Sequence, residues 1–253
     1  MSVSSEQKRR QGGLAVTIRT MAGALIIALV IRTLLFQAFT IPSGSMEATL
    51  LVGDYLFVST YAYGYTHYAL PLSPPLFSGR IFGSQPKRGD VVVFRLPWDD
   101  SVDYIKRVIG LPGDRIEMID GRLHINGTAV KRERVEDYVD TDDGYPIRVR
   151  RWRETLPNGV SYETLDRVEN SEYDNTAPYI VPAGHFFMMG DNRDNSNDSR
   201  VPPARGGVGY VPFENILGRA EIIFFSIGDG ASAWQLWRWP WSLRWRRLLT
   251  VVR

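Results

Sequence analysis

The sequence predicts a mainly β protein that carries one membrane-spanning helix at its N-terminus. A single long apolar segment accounts for the helix, and short segments rich in β-branched and aromatic residues, separated by turns, account for the sheets. A content of 44% hydrophobic and 23% charged residues over 253 positions suits a folded chain. The net charge of +2 gives no indication of nucleic-acid binding. The absence of cysteine excludes disulfides, thiolate metal sites and a cysteine nucleophile.

The apolar segment Met21–Phe39 contains one charge, Arg32. At about 1.5 Å per residue, a helix of this length spans roughly 28 Å, close to the hydrocarbon thickness of a bilayer. It is apolar on nearly every side, unlike a helix packed in a soluble protein, and no small-x-small cleavage site of a signal peptide follows it. We therefore expect a retained anchor over 20–40. Arg32 is accommodated either by snorkelling or by a span that lies closer to the N-terminus.

Basic residues indicate the orientation of this anchor. Those that precede it are Lys8, Arg9, Arg10 and Arg19. The stretch 41–80 contains one strong base, Arg80. Because basic residues stay on the cytoplasmic side of a membrane, we expect 1–19 in the cytoplasm and everything after residue 40 outside.

Strand-like segments make up most of the chain after Gly53. They are DYLFVSTYAYGY, GDVVVFRL, DYIKRVIGL, RIEMIDGRLHINGTAV, GHFFMMG and RAEIIFF. Asp120-Gly121 and Asn126-Gly127 are hairpin signals, so the fourth segment is predicted to contain at least one tight hairpin. No amphipathic helix is predicted between positions 45 and 225.

Two stretches interrupt the strand pattern. Residues 68–88 are rich in Pro, Ser and Gly, and 131–178 are strongly polar without a clear period. We expect the second stretch to separate or decorate two β-subdomains. The predicted organisation is a cytoplasmic N-terminus (1–19), the anchor (20–40), a first part of a β core (41–130), an inserted subdomain or loop region (131–180), a second part of the core (181–227) and a Trp/Arg-rich tail (228–253).

The tail interleaves tryptophans with arginines in the run WQLWRWPWSLRWRRLLTVVR. Indoles favour the headgroup level of a membrane and arginines attract anionic lipid, so we expect the tail to contact the membrane interface. Packing against the domain as a strand or helix, or contact with nucleic acid, are the alternatives.

Two serines, Ser43 and Ser45, follow the anchor directly in the turn IPSGSM. A serine hydroxyl is a weak nucleophile and needs a base within hydrogen-bonding distance. The nucleophile-elbow pattern Gly-x-Ser-x-Gly is absent. A Ser-His-Asp triad stays open, since triads are defined by geometry, but no histidine is favoured among His67, His124 and His185. Taken alone, Ser45 is better explained as a turn residue that satisfies backbone groups.

Lys106 is the other candidate base. In DYIKRVIGL, strand alternation places Tyr104, Lys106 and Val108 on one face. Burial there would lower the pKa of the lysine toward neutrality and allow the amine to accept a proton from Ser45. A lysine that snorkels from an edge strand is the alternative.

The densest polar run is GDNRDNSNDSR, Gly190–Arg200, directly after the apolar segment HFFMMG. It fails the EF-hand template, because Ser199 stands where the template needs Gly and Arg205 where it needs Glu. Its two arginines are predicted to pair with its own aspartates, in a rigid loop that presents Ser196. A plain surface loop is the alternative.

Taken together, these units resemble bacterial signal peptidase I, the membrane-bound serine protease that removes signal peptides from exported proteins. The matching stretches are PSGSM with TLLVGD nearby, GDVVVF, YIKRVIGLPGD and GDNRDNSNDSR, in this order after an apolar segment. As an ordered set they are highly specific. The resemblance covers the core of residues 20–225 and leaves out the polar insertion and the tail.

This resemblance implies a largely antiparallel β ectodomain with an inserted second subdomain. It places the chain in the inner (cytoplasmic) membrane as a single-pass protein, with its catalytic domain on the periplasmic or extracellular face. The implied substrates are preproteins that bear signal peptides, cut after small residues as in Ala-x-Ala. Membrane lipid is the other expected partner, nucleic acid is not expected, and neither a metal nor an organic cofactor is implied.

The resemblance also assigns roles to residues. Ser45 would be the nucleophile and Lys106 the general base. The Ser43 hydroxyl and the Ser45 backbone amide would form the oxyanion hole, and Ser196 would orient the lysine. The residues that hold its loop in shape would be Asp191, Arg193, Asp198 and Arg200. Ala48 departs from the Pro that the family often carries after the nucleophile, a change that removes no chemical group.

Three other functions stay open. One is a non-catalytic membrane-tethered β module that binds a partner through the tail. Another is a Ser-His-Asp hydrolase on the same anchor. The third is a self-cleaving Ser/Lys protease of the repressor type, against which the anchor and the lack of a DNA-reading element argue.

Overall fold

A computed structural model describes residues 3–70, 73–74, 76–140, 146–228 and 239–253, with side chains from residue 15 onward except at 240. The helices and strands, in chain order, are α1 (Val3–Leu34), β1 (Phe36–Thr40), β2 (Asp54–Ser59), β3 (Val91–Leu96), β4 (Asp99–Gly110), β5 (Arg115–Ile119), β6 (Arg122–Ile125), β7 (Thr128–Ala129), β8 (Lys131–Arg134), β9 (Tyr138–Asp140), β10 (Ile147–Thr155), β11 (Ser161–Asp166), β12 (Tyr179–Ile180), β13 (His185–Met189), β14 (Val211–Pro212), β15 (Ile216–Ser226), α2 (Trp239–Ser242) and β16 (Thr250–Val251).

Three antiparallel sheets form the body of the protein. The main sheet has the order β1-β2-β15-β3-β4-β13-β14, with β16 paired to β15. A second sheet has the order β12-β5-β6-β7. In the third, β10 lies between β11 and β8 and also pairs with β9. The predicted mainly β, antiparallel fold is therefore confirmed.

The sequence predicts at least one tight hairpin, and both hairpin signals correspond to hairpins in the second sheet. β5 and β6 join through Asp120-Gly121, and β6 and β7 join through Asn126-Gly127. All four residues have positive φ, from 49° at Asp120 to 81° at Gly127. Two-residue turns with positive φ at both positions match the twist of the strands that they connect, which is why Asn-Gly and Asp-Gly are reliable hairpin signals.

The third sheet lies within the polar stretch 131–178, where the sequence shows no clear strand period. Its strands bury few side chains and are joined by cross-strand ion pairs. Arg150 pairs with Asp166, and both Arg151 and Arg153 pair with Glu163. Charged residues in place of apolar ones remove the alternation that marks a half-buried strand, which is why the sequence left open whether this stretch is an inserted subdomain or a loop region.

Helix α1 is long and apolar enough over Ala15–Leu34 to cross a membrane by length and composition, and none of that window is buried against the protein. The predicted boundary at residue 40 is wrong, because residues 36–40 form β1 and pair with β2. Apolar composition alone does not separate the end of a helix from the start of a strand. Arg32 lies in the last turn of α1, as expected if the span is closer to the N-terminus.

The described part of the tail packs on the main sheet. β16 pairs with β15, and the Arg247 guanidinium donates to the buried carboxylate of Asp54. This is the packing that the sequence left as an alternative. Trp241 and Trp245 nevertheless stay 84% and 64% exposed, so membrane contact by the tail stays a prediction. The tail residues 229–238 lie outside the described part of the chain.

Candidate active site

Ser45 lies in a single 3-10 turn, Gly44–Met46, between β1 and β2. Two apolar neighbours fix this turn. Met46 and Leu50 are fully buried in one core cluster with Val91 and Val93 of β3. The chain thus leaves β1, buries these side chains and holds Ser45 beside the main sheet, with 8% of the residue exposed.

Lys106 reaches Ser45 from strand β4. Its Nζ lies 2.7 Å from Ser45 Oγ and also donates to the carbonyl of Ile105 at 2.9 Å. Only 2% of Lys106 is exposed, so it is a buried residue and does not snorkel. The Ser43 hydroxyl is 3.5 Å from Ser45 Oγ, which places both serines and the lysine in one cluster.

Burial lowers the pKa of Lys106 from 10.5 to about 8, against the opposing pull of Asp198 and Asp191. Both carboxylates are held by other cations. Asp191 pairs with Arg107 at 2.6 Å, and Asp198 pairs with Arg200 at 2.9 Å. Among the described residues, no carboxylate forms an ion pair with Lys106. Its amine is therefore placed to be neutral at moderately alkaline pH and to accept a proton from Ser45.

The loop 190–200 is held in two ways. Within the loop, Asp198 accepts hydrogen bonds from the Arg200 side chain and from the backbone N–H groups of Gly190 and Arg200. This is the internal pairing that the sequence predicts. The other expected pair does not form, because Arg193 donates to Glu154 of β10.

Asp191 is also held from outside its own loop. It accepts hydrogen bonds from Arg107 of β4 and from the Thr49 hydroxyl. The expectation that both loop arginines pair with loop aspartates is thus corrected. The partners of Arg193 and Asp191 come from strands that are distant in the sequence. The sequence pattern of the loop alone therefore does not identify them.

Ser196 lines the same cleft as Ser45 and Lys106. Its hydroxyl is buried and has no hydrogen-bond partner among the described residues, so the expected hydrogen bond to Lys106 is not formed. Gly190 lies directly behind it. A Cβ at this glycine would stand 2.2 Å from Ser196 Oγ and 2.4 Å from the Ser45 carbonyl oxygen. Only glycine lets the loop approach the turn of Ser45 this closely.

The cleft has a volume of about 670 Å³ and opens to solvent. Its walls are the turn at Ser43–Ser45, strand β4 from Val102 to Lys106, and the loop 193–197. Residues 107–110 of β4 pair with β13. Residues 103–106 pair only with β3 among the described strands, so their other edge has no strand partner there. An extended peptide could add to this free edge beside Ser45.

The three histidines lie elsewhere. None of them is among the residues that line the cleft. His124 and His185 each contact the backbone carbonyl two residues earlier in the chain, and the ring of His67 packs at a tilt against that of Tyr68. No group of three or more His, Asp or Glu side chains in the described part of the chain is placed to hold a metal ion.

Several residues at the site were not singled out from the sequence. Those that contact the Ser45 turn or the loop are Thr49, Glu47, Arg107, Glu154 and Asn192. Strand alternation puts Arg107 on the face opposite Lys106, yet it is also fully buried, because the strand has protein on both sides. The signal that could have identified Arg107 is the Lys-Arg pair in YIKRVIGL, two adjacent charges in an otherwise apolar strand.

A sequence model of the family described as "Signal peptidase, peptidase S26" matches residues 14–225 of this chain. Proteins named signal peptidase I from Rickettsia typhi and Rickettsia massiliae are 48% and 47% identical to it over 210 residues, which is 80% of this chain and 76% of each relative. The chain is also similar to a crystal structure of a signal peptidase I from Enterococcus faecalis. The match covers 54% of this chain and 97% of the crystallised chain, at 27% identity and a TM-score of 0.33.

Proposed function

The chain belongs to the signal peptidase family, peptidase S26, and we propose that it cleaves signal peptides from preproteins with Ser45 as nucleophile and Lys106 as general base. Signal peptide removal by a serine endopeptidase is the activity of the family. The assignment to these two residues rests on one observation, the 2.7 Å contact between a buried lysine amine and the serine hydroxyl of the turn.

Acylation begins with proton transfer. Neutral Lys106 Nζ accepts the Ser45 Oγ proton as Oγ attacks the scissile carbonyl carbon, and the carbonyl electron pair moves onto oxygen. The resulting oxyanion is held by the Ser43 hydroxyl and the Ser45 backbone N–H. In serine proteases, removal of one such donor lowers kcat by about 10²–10³-fold. Collapse of the intermediate expels the new amine, which takes the proton from the lysine.

Deacylation uses the same base. Lys106 accepts a proton from a water molecule as the water oxygen attacks the acyl carbon. When the intermediate collapses, the C–Oγ bond breaks, Lys106 returns the proton to Ser45 Oγ, and the signal peptide leaves with a new carboxyl group. Ser196 lines the same cleft as Lys106, and its hydroxyl, which has no hydrogen-bond partner among the described residues, is available to orient the amine when substrate is bound. Asp191, Arg193, Asp198 and Arg200 keep the loop of Ser196 against the turn.

Substrate binds as a strand along the free edge of β4, with the residue before the cut beside Ser45. Pro42, Val102 and Ile105 are among the residues that line the cleft and offer apolar surface to the side chains before the cut, which we propose are small, as in Ala-x-Ala. We also propose that α1 anchors the protein in the inner membrane with 1–19 in the cytoplasm. Membrane-inserted signal peptides then reach the cleft without leaving the bilayer surface.

Substitution of Lys106 tests the dyad. Lys106→Met removes the base with similar side-chain volume, and Lys131→Met is the matched control, because Lys131 is exposed and pairs only with Glu133 among the described residues. We expect no cleavage of an Ala-x-Ala preprotein by Lys106→Met and parent-like cleavage by Lys131→Met. Retained activity in Lys106→Met would assign the base to another residue.

A further inference from the structure

Asn192 donates to two carbonyls of the turn that carries Ser45. Its backbone N–H donates to the Ser45 carbonyl at 3.2 Å, and its side-chain Nδ2 donates to the Gly44 carbonyl at 3.0 Å. Asn192 is fully buried and is not among the residues that line the cleft. It therefore acts on the turn from the side opposite the substrate.

The contact to Gly44 has a direct consequence for the Ser45 amide. A trans peptide is planar, so its C=O and N–H point in opposite directions. With the Gly44 carbonyl turned toward Asn192, the N–H of Ser45 points away from Asn192, which is not among the residues that line the cleft. This N–H is one of the two donors that we assign to the oxyanion hole. Within the turn, the Gly44 carbonyl also accepts the Glu47 backbone N–H at 3.0 Å, and Asn192 adds a side-chain donor from outside the turn that holds the same direction before substrate binds.

The Asn192 amide is itself oriented by Glu47. Its Nδ2 lies 3.1 Å from Glu47 Oε2 as well as 3.0 Å from the Gly44 carbonyl. Both neighbours are acceptors, so only the NH₂ end of the amide can face them. Glu47 is 4% exposed, and Arg167 compensates its charge at 2.8 Å. Arg167 in turn pairs with Asp140 of β9 at 2.6 Å.

The third sheet fixes the backbone on both sides of Asn192. The N–H of Leu165 in β11 donates to the Asp191 carbonyl, and the N–H of Arg193 donates to the Leu165 carbonyl, both at 2.9 Å. Asn192 is thereby bridged to Leu165 in a parallel arrangement. The same sheet that carries Asp140 therefore positions the backbone as well as the side chain of Asn192.

We propose that Asn192 and Glu47 are positioning residues of the oxyanion hole, through which the third sheet holds the Ser45 N–H in its catalytic direction. The inference rests on the proposed role of Ser45 as nucleophile. Neither residue touches the substrate. Their effect belongs to the transition state, because an oxyanion exists only after attack.

Three variants and a matched control test this proposal. Asn192→Ala removes the donor to Gly44, Glu47→Ala removes the group that orients Asn192, and Glu47→Gln keeps an acceptor oxygen at that point. Glu163→Gln is the control, because Glu163 also lies in the third sheet and pairs with two arginines, Arg151 and Arg153, away from the turn. Circular dichroism and thermal unfolding of the detergent-solubilised full chain check folding.

Two readouts separate positioning from a general structural role. The first is kcat and KM for a signal-peptide-derived substrate across pH. The second is the affinity for a peptide aldehyde of the same sequence. Ser45 Oγ adds to the aldehyde carbon, its proton passes to Lys106, and the aldehyde oxygen becomes an oxyanion that needs the hole.

We expect Asn192→Ala to lower kcat about 10- to 10²-fold, below the loss of a donor itself, with KM near the parent value. Aldehyde affinity should fall in parallel, and the pH midpoint should not move. Glu47→Ala should show a smaller loss, Glu47→Gln should recover most of it, and Glu163→Gln should match the parent.

A kcat in Asn192→Ala equal to that of the parent would overturn the proposal. So would a rise in KM while the affinity of the variant for the aldehyde equals that of the parent. If Asn192→Ala does not fold, the comparison of Glu47→Ala with Glu47→Gln tests the proposal instead. Equal activity of Glu47→Ala and the parent would then contradict it. A Ser45→Ala variant measured in parallel distinguishes failure of the proposed function from failure of this inference. Activity in Ser45→Ala removes the proposed function, whereas inactivity with parent-like Asn192→Ala removes this inference alone.

Discussion

At the scale of single residues, the site is a buried cluster of charged side chains in which one basic residue has no carboxylate partner among the described residues. Each arginine has a carboxylate partner in the cluster. The pairs are Arg107 with Asp191, Arg193 with Glu154, and Arg200 with Asp198. Lys106 is the buried cation without such a pair among the described residues. Because burial penalises an unpaired ammonium much more than a neutral amine, the arrangement favours the base form of Lys106.

The pH dependence of cleavage follows from the pKa of Lys106, which burial lowers to about 8. Below that pH the amine is protonated and cannot accept the serine proton. We expect kcat/KM to rise about tenfold per pH unit up to near pH 8 and then to level off, as for a single essential base. Initial rates on a peptide substrate from pH 5.5 to 10 measure this. A midpoint near pH 10 would contradict a buried, neutral lysine.

Asp191 is predicted to stabilise the fold through Arg107. Asp191→Ala leaves the fully buried Arg107 guanidinium without its carboxylate, which we expect to lower the free energy of unfolding by about 3–5 kcal/mol. Urea unfolding of the detergent-solubilised chain, followed by tryptophan fluorescence, measures the change. Glu133→Ala is the control, since its pair with Lys131 is exposed and screened by solvent and should contribute little to stability. Equal effects of the two variants would argue against a buried pair.

At the scale of elements, two segments outside the family motifs support the site. The third sheet contributes Glu154 to the loop of Ser196 and lies against Asn192. The described tail lies against the other end of the Ser45 turn, where the Arg247 side chain donates to Asp54 and to the Thr49 carbonyl. Both segments therefore act on the residues that follow or face the nucleophile.

The tail contact predicts a loss of stability in Arg247→Ala. Asp54 is fully buried, and loss of its charged donor should lower the free energy of unfolding by about 1.5–3 kcal/mol, the range for hydrogen bonds to charged groups. The neighbouring Arg246 is exposed, so Arg246→Ala serves as the control and should be close to neutral. Thermal unfolding of the two variants compares them. A tail that only contacts lipid would make both substitutions equal in detergent.

How far the sequence predicts these elements depends on which interactions are local. The hairpins at Asp120-Gly121 and Asn126-Gly127 are set by two residues each, and the sequence showed both signals and predicted at least one hairpin. The face of Lys106 follows from strand alternation. The third sheet is held by ion pairs between strands, and the partner of Arg193 is 39 positions away. Contacts of that kind leave no local period, so neither the sheet nor Glu154 was identified.

At the scale of the whole molecule, the fold brings the dyad to the end of the apolar helix. α1 ends at Leu34, β1 follows at Phe36, and Ser45 comes five residues after Thr40. The exposed apolar surface of α1 has no partner in the described protein, which a bilayer would supply. An anchored protein then holds its cleft near the membrane surface, where signal peptides are inserted.

Charged substitutions in α1 test the anchor. Leu25→Lys combined with Leu29→Lys places two cations within the apolar window, each of which opposes insertion by about 2.5–3.5 kcal/mol. We expect this variant to move from the membrane fraction to the supernatant after alkaline extraction. Gln7→Lys adds a charge before the window and should stay with the membrane. Equal retention of both variants would show that α1 does not hold the protein in the bilayer.

The most direct test of the account is cleavage of an Ala-x-Ala preprotein by the detergent-purified full chain beside its Ser45→Ala variant at equal concentration. The variant removes one oxygen atom from the contact with Lys106 and leaves the core residues of the turn in place. We predict that the parent releases the signal peptide and that Ser45→Ala releases none. Equal processing by both proteins would exclude Ser45 as the nucleophile, and with it the Ser45–Lys106 mechanism.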